Sequence, residues 1–105
     1  FLYVGNGQWR LSPVFDVNPA PDRNPHLETA IMEGGSHDRS IMLALEASQF
    51  FEIAEDDARR MILEMAQKVS DKWREELREV GVSGNLAKEY EPAFVHEQAE
   101  AAYSL

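Results

Sequence analysis

The spacing of apolar positions changes character along this chain. At the N-terminus Leu2 and Val4 alternate with Phe1 and Tyr3, and Trp9 and Leu11 flank Arg10, around Gly5-Asn6-Gly7. A period of two is that of a strand. Asn and Gly accept the positive φ that tight hairpin turns require. The pattern predicts a β-hairpin with strands over 1–4 and 8–12. An isolated hairpin is marginal in water, so this one must pack on something or join a larger sheet.

The alternation ends at Pro13. Pro13, Pro19, Pro21 and Pro25 each remove a backbone donor and push the preceding residue away from helix, so 13–35 reads mainly as loop. Leu27, Thr29 and Ile31 alternate and predict one short strand before Gly34-Gly35. A connection of this length is either functional or disordered, and its apolar content favours order.

From residue 36 the period becomes helical. Ser36 is expected to cap a helix whose first turn carries Asp38. Ile41, Met42, Leu43, Ala44, Leu45, Ala47, Phe50 and Phe51 cover most of its circumference, which predicts burial on several sides. A second helix opens on the acidic turn Glu55-Asp56-Asp57. It carries the stripe Ala58, Ile62, Met65, Val69, Trp73, Leu77 and Val80, with Gly81 as its C′ residue. Lys68, Lys72, Arg74 and Arg78 lie in its second half, where the helix dipole favours cations. A last helix is expected to start at Ser83, with Pro92 ending or kinking its first part. The architecture expected is mainly α: a hairpin (1–12), a loop (13–35) and a helical part (36–105) forming one unit.

Composition narrows the function classes. The 105 residues are 44% apolar and 28% charged, ordinary for a globular chain that buries a modest core. A formal charge of −9 argues against a nucleic-acid surface and against an anionic membrane surface. The absence of cysteine removes disulfides and thiolate metal sites, and fits a cytoplasmic setting. No apolar run approaches the roughly 20 residues of a membrane span.

Few residues carry candidate chemistry. His26, His37 and His96 stand at no ligand spacing, and His96-Glu97-Gln98-Ala99-Glu100 places Glu100 where H-E-x-x-H needs a second histidine. These histidines read as solvated. Gly5-Asn6-Gly7 leads into a strand rather than a helix, which excludes a phosphate loop. The serines lie in no nucleophile elbow. Glu55-Asp56-Asp57 is a helix start, since consecutive residues do not converge on one cation.

Asp16 remains, between Phe15 and Val17 at the mouth of the proline loop. Two readings stand. It is an Asx-type loop cap, or it is a fixed carboxylate contributing to a hard-cation site such as Mg²⁺, whose other ligands come from elsewhere.

The segment around it, "WRLSPVFDVNPAPD", followed by "PHLETAI", a Gly-Gly turn and helices, resembles the C-terminal portion of HipA-type toxin kinases. In that family a W-x-L-x-P-x-[YF]-D-[LV]-x-P segment follows the catalytic loop. Here Trp9, Leu11, Pro13, Phe15, Asp16, Val17 and Pro19 supply it. "FFEIAEDDARRMILEMAQKVSDKW" resembles the family's long C-terminal helix with its acidic start. The resemblance spans nearly the whole chain and is looser after Gly81.

It implies the C-terminal part of a protein-kinase-like C-lobe, with Ser/Thr phosphorylation of protein substrates using ATP and Mg²⁺. It also implies regulation by an antitoxin-like DNA-binding partner. Asp16 would be the metal-binding aspartate, the counterpart of the Asp in Asp-Phe-Gly. The family's Gly-rich loop, ATP-contacting lysine and catalytic Asp/Asn loop have no counterpart after Phe1. The chain therefore reads as an excised segment that is inactive alone and self-associates through uncovered apolar faces, with Trp9, Phe15, Phe50 and Phe51 exposed. The alternative is a non-catalytic helical interaction module. Its acidic surface, including Glu75, Glu76, Glu79, Glu89 and Glu91, would meet a basic, antitoxin-like partner.

Overall fold

The computed structural model describes residues 1–15, 17–22 and 26–105. Gly5, Asn6 and Gly7 take φ of 92°, 53° and 70°, turning β1 (Leu2–Gly5) back on β2 (Gln8–Arg10). Leu2 pairs with Arg10 and Tyr3 with Trp9. Gly5 then pairs with Gln8, so β1 uses one extra residue and bulges. The Tyr3 and Trp9 rings, directly opposite, lie 5.1 Å apart, and the Tyr3 hydroxyl accepts a hydrogen bond from Gly7 N at 3.1 Å. The hairpin is exposed throughout apart from Gly5.

The short strand expected over Leu27–Ile31 does not form. A single antiparallel bridge joins His26 to Asp38, and Leu27 N donates to His37 O at 2.8 Å. The chain reverses at 32–35, where Gly35 N bonds Met32 O at 3.0 Å, and among the described residues the bridge extends to no longer ladder.

The first helix, α1, runs Ile41–Ala47 and is capped by Ser40, whose Oγ accepts from Leu43 N at 3.2 Å. Ser36, the expected cap, instead hydrogen-bonds Asp38 through its side chain. Asp38 is thereby held in the preceding loop rather than in a first helical turn. The helix also ends early. Ser48 Oγ donates to Leu45 O at 2.6 Å, and a 3-10 turn over Ser48–Phe51 follows, closed by Glu52 at φ 57°. Leu45 and Ala47 are buried, but Phe50 and Phe51 are 70% and 72% exposed. The expected burial on several sides is therefore corrected to one face, because the tightened turn carries both phenylalanines away from it.

The long α2 (Glu55–Glu79) follows the predicted bounds. Val82 N bonds Leu77 O at 2.8 Å and Gly81 N bonds Arg78 O at 3.0 Å, with Gly81 at φ 85°. This is a Schellman termination. Ser83 precedes α3 (Gly84–Tyr90). Pro92 lies in a 3-10 turn over Glu91–Ala93, and α4 (Glu97–Tyr103) follows as a separate helix. The α1, α2 and α4 helices pack together, with Leu45, Ala47, Ala58 and Ala102 buried, while Trp73 and Leu77 are buried farther along α2. Phe94 stacks on Trp73 at 4.8 Å and 11°, and the Arg74 guanidinium lies 4.2 Å from the Trp73 ring centre. Among the described residues no helix is long and apolar enough to cross a membrane.

Candidate functional site

Asp16 lies outside the described residues. Its neighbours Val14 and Phe15 on one side and Val17 on the other are all highly exposed, Phe15 at 84%. The segment therefore carries a row of apolar side chains that no described residue covers. Among the described residues no group of three or more His, Asp or Glu side chains is placed to hold a metal ion.

His26 and His37 are exposed, as the sequence predicts, but the fold brings the two rings together, while His96 is half-buried. His26 and His37, distant in sequence, stack with ring centres 5.3 Å apart and planes at 18°. His37 Nδ1 donates to Leu27 O at 2.6 Å. Together with the His26–Asp38 bridge they close the neck of the 27–37 loop. His96 is half-buried and caps α4, its Nδ1 accepting from Ala99 N at 3.2 Å. Burial pushes the His96 pKa below its ordinary value of 6.5, and the positive charge of Arg39 pushes it the same way. A hydrogen bond with the Ala93 backbone partly opposes both. Arg39 Nε is itself buried with no hydrogen-bond partner among the described residues.

A groove of about 480 Å³ opens between α1, α2 and α4, with Ile62, Met65, Val69, Phe94 and Val95 among its apolar lining. His96, Gln98 and Glu100 supply polar groups along it. The fourth helix is anchored at both ends of the groove. Gln98 Oε1 accepts from Ile41 N at 2.7 Å, and the Tyr103 hydroxyl donates to Ala66 O at 3.2 Å. Sequence reasoning placed Met65 and Val69 on a core stripe, yet Met65 is 58% exposed. The α2 stripe is longer than the short α1 and α4 can cover, and that mismatch was the available signal.

The acidic residues Glu75, Glu76, Glu79, Glu89 and Glu91 are all exposed. Glu75 pairs with Lys72 at 3.2 Å, an exposed contact of small energetic weight. Comparison with protein-family models, with curated proteins and with solved structures finds no match in any of the three.

Proposed function

We propose that this chain is the C-terminal segment of a HipA-like Ser/Thr protein kinase, in which Asp16 contributes one carboxylate to the Mg²⁺ site used in ATP-dependent phosphoryl transfer. The observation that carries the reading is the spacing of Trp9, Leu11, Pro13, Phe15, Asp16, Val17 and Pro19. The order of hairpin, proline-rich loop and long helix with an acidic first turn agrees with it.

Phosphoryl transfer asks a protein mainly to position charge around the phosphates. A carboxylate at Asp16 suits a hard cation, which takes one or two such ligands and leaves its other positions to water and phosphate oxygens. When bound, Mg²⁺ would neutralise charge developing on the transferred group. Pro13 and Pro19 restrict the backbone at their own positions on either side of Asp16. The nucleotide-cradling loop, the catalytic base and the second metal ligand belong to other parts of such a kinase. An antitoxin-like DNA-binding protein would be its regulator, a protein hydroxyl its acceptor, and the cytoplasm its compartment.

On this reading the 105 residues alone, given ATP, Mg²⁺ and protein acceptors, transfer phosphate only at background level. Robust turnover by this chain alone would contradict it.

A second reading rests on charge. Residues 1–25 are formally neutral, so the whole of the −9 resides in 26–105. Such a surface suits a non-catalytic module for a basic partner. Binding of a Lys/Arg-rich helical peptide that weakens steeply between low and physiological salt would favour it. Salt-independent binding, or none, would count against it.

A further inference from the structure

We propose that His96 is a pH-operated latch that holds α4 against α1 and α2 while its ring is neutral and releases the start of α4 when the ring is protonated. The geometry assigns the role. His96 occupies the N-cap position at φ −160°, ψ 170°, and its Nδ1 accepts the Ala99 amide. A ring nitrogen can accept only while it carries no proton, so the capped state requires neutral imidazole with its proton on Nε2. Protonation turns Nδ1 into a donor facing another donor, and the cap is lost.

The surroundings reinforce this polarity. Arg39, in the segment entering α1, is the charge that acts on the ring, so a second positive charge on His96 is repelled. The wall that α2 contributes is Ile62, Met65, Ala66, Val69 and Ser70, which contains no titratable group. Ile41 and Ala44 of α1, and Ala93, Phe94 and Val95 ahead of the cap, add no titratable group, although the Ala93 backbone hydrogen bond favours the protonated ring and offsets part of the effect of burial and Arg39. On α4 itself, Glu97 adjoins the ring in sequence, and Glu100 and Tyr103 line the same groove. Neither carboxylate is among the causes that move the His96 titration.

Loss of the cap also reaches the packing. Gln98 lies in the first turn of α4, so fraying that turn disengages its bond to Ile41 N and with it the tie to the start of α1. The Tyr103–Ala66 bond lies about one and a half turns farther along α4, at its far end, and remains. The latch therefore opens one mouth of the groove rather than dissolving the bundle.

The test is amide exchange of Ala99 and Ile41 by NMR in the 105-residue chain, expressed as protection relative to intrinsic exchange, between pH 8 and pH 5. Protection of both should fall together by about fivefold to tenfold, the worth of one cap. In His96→Asn, which caps without titrating, it should stay level. In Arg39→Gln the fall should begin at higher pH. A level profile in the unaltered chain, or the same fall in His96→Asn, would overturn the proposal. Nitrogen-15 shifts of the His96 ring supply a readout that needs no variant: the Nε2–H tautomer at pH 8 is expected, and an Nδ1–H tautomer would overturn it.

Discussion

Trp73 is buried, stacked on Phe94 and lies beside the Arg74 guanidinium, so several packing contributions meet on one side chain. Trp73→Ala should cost about 3–5 kcal/mol by urea denaturation, the range for removing a buried aromatic and leaving a cavity. A loss below about 1 kcal/mol would mean that the ring does not anchor the bundle. His96 gives a stability term whose sign follows from burial and Arg39, which lower its pKa in the folded chain. Below about pH 6.5 the unfolded chain binds this proton first. The His96 contribution is thus complete above that pH and declines as pH falls toward the lowered folded value. The difference in melting temperature between unaltered chain and His96→Asn should therefore widen on acidification, and a constant difference would refute the assignment. Trp73 was legible from its place in a helical stripe. His96 was not, because histidine is a rare cap and its acceptor role depends on a tautomer that residue spacing does not encode.

At the scale of elements, α2 was readable from end to end. Its stripe, acidic first turn and terminal Gly81 all agree, and local agreement of this kind is what makes a helix predictable. Gly81 has φ 85° and open space where a Cβ would point, so Gly81→Ala tests backbone conformation alone. It should lower stability by about 1–2 kcal/mol in thermal unfolding, the cost of placing a Cβ in the left-handed region. No change would show that the helix end relaxes to another form. By contrast, α1 was overextended. Ser36 and Ser40 are equally good caps by type, and only the Ser36–Asp38 side-chain bond decides between them. The apolar run to Phe51 resembled more helix, yet Ser48 folds back on Leu45 O and ends it. The groove was illegible because it needs three elements separated by long stretches of chain, and no window of sequence contains them together.

The whole molecule is extended for its length: its radius of gyration is 16.1 Å, against about 13 Å for a compact chain of 100 residues. The hairpin and the loop after it expose Phe1, Trp9, Leu11, Val14, Phe15 and Val17, a surface beyond what an isolated domain usually leaves in water. The chain alone should therefore self-associate, with sedimentation coefficients that rise with concentration. The double substitution Trp9→Ser, Phe15→Ser should restore a monomer, and a clean monomer before substitution would count against this account. Under the kinase proposal the same surface would be covered by other parts of the catalytic lobe. The proposed role of Asp16 is tested most directly by the phosphoryl-transfer rate of the intact kinase carrying Asp16→Asn, with folding checked by circular dichroism. The account predicts an unchanged spectrum and a rate at least about a hundredfold lower, as expected when charge stabilisation at the phosphates is removed. A correctly folded Asp16→Asn kinase with its activity intact would contradict it.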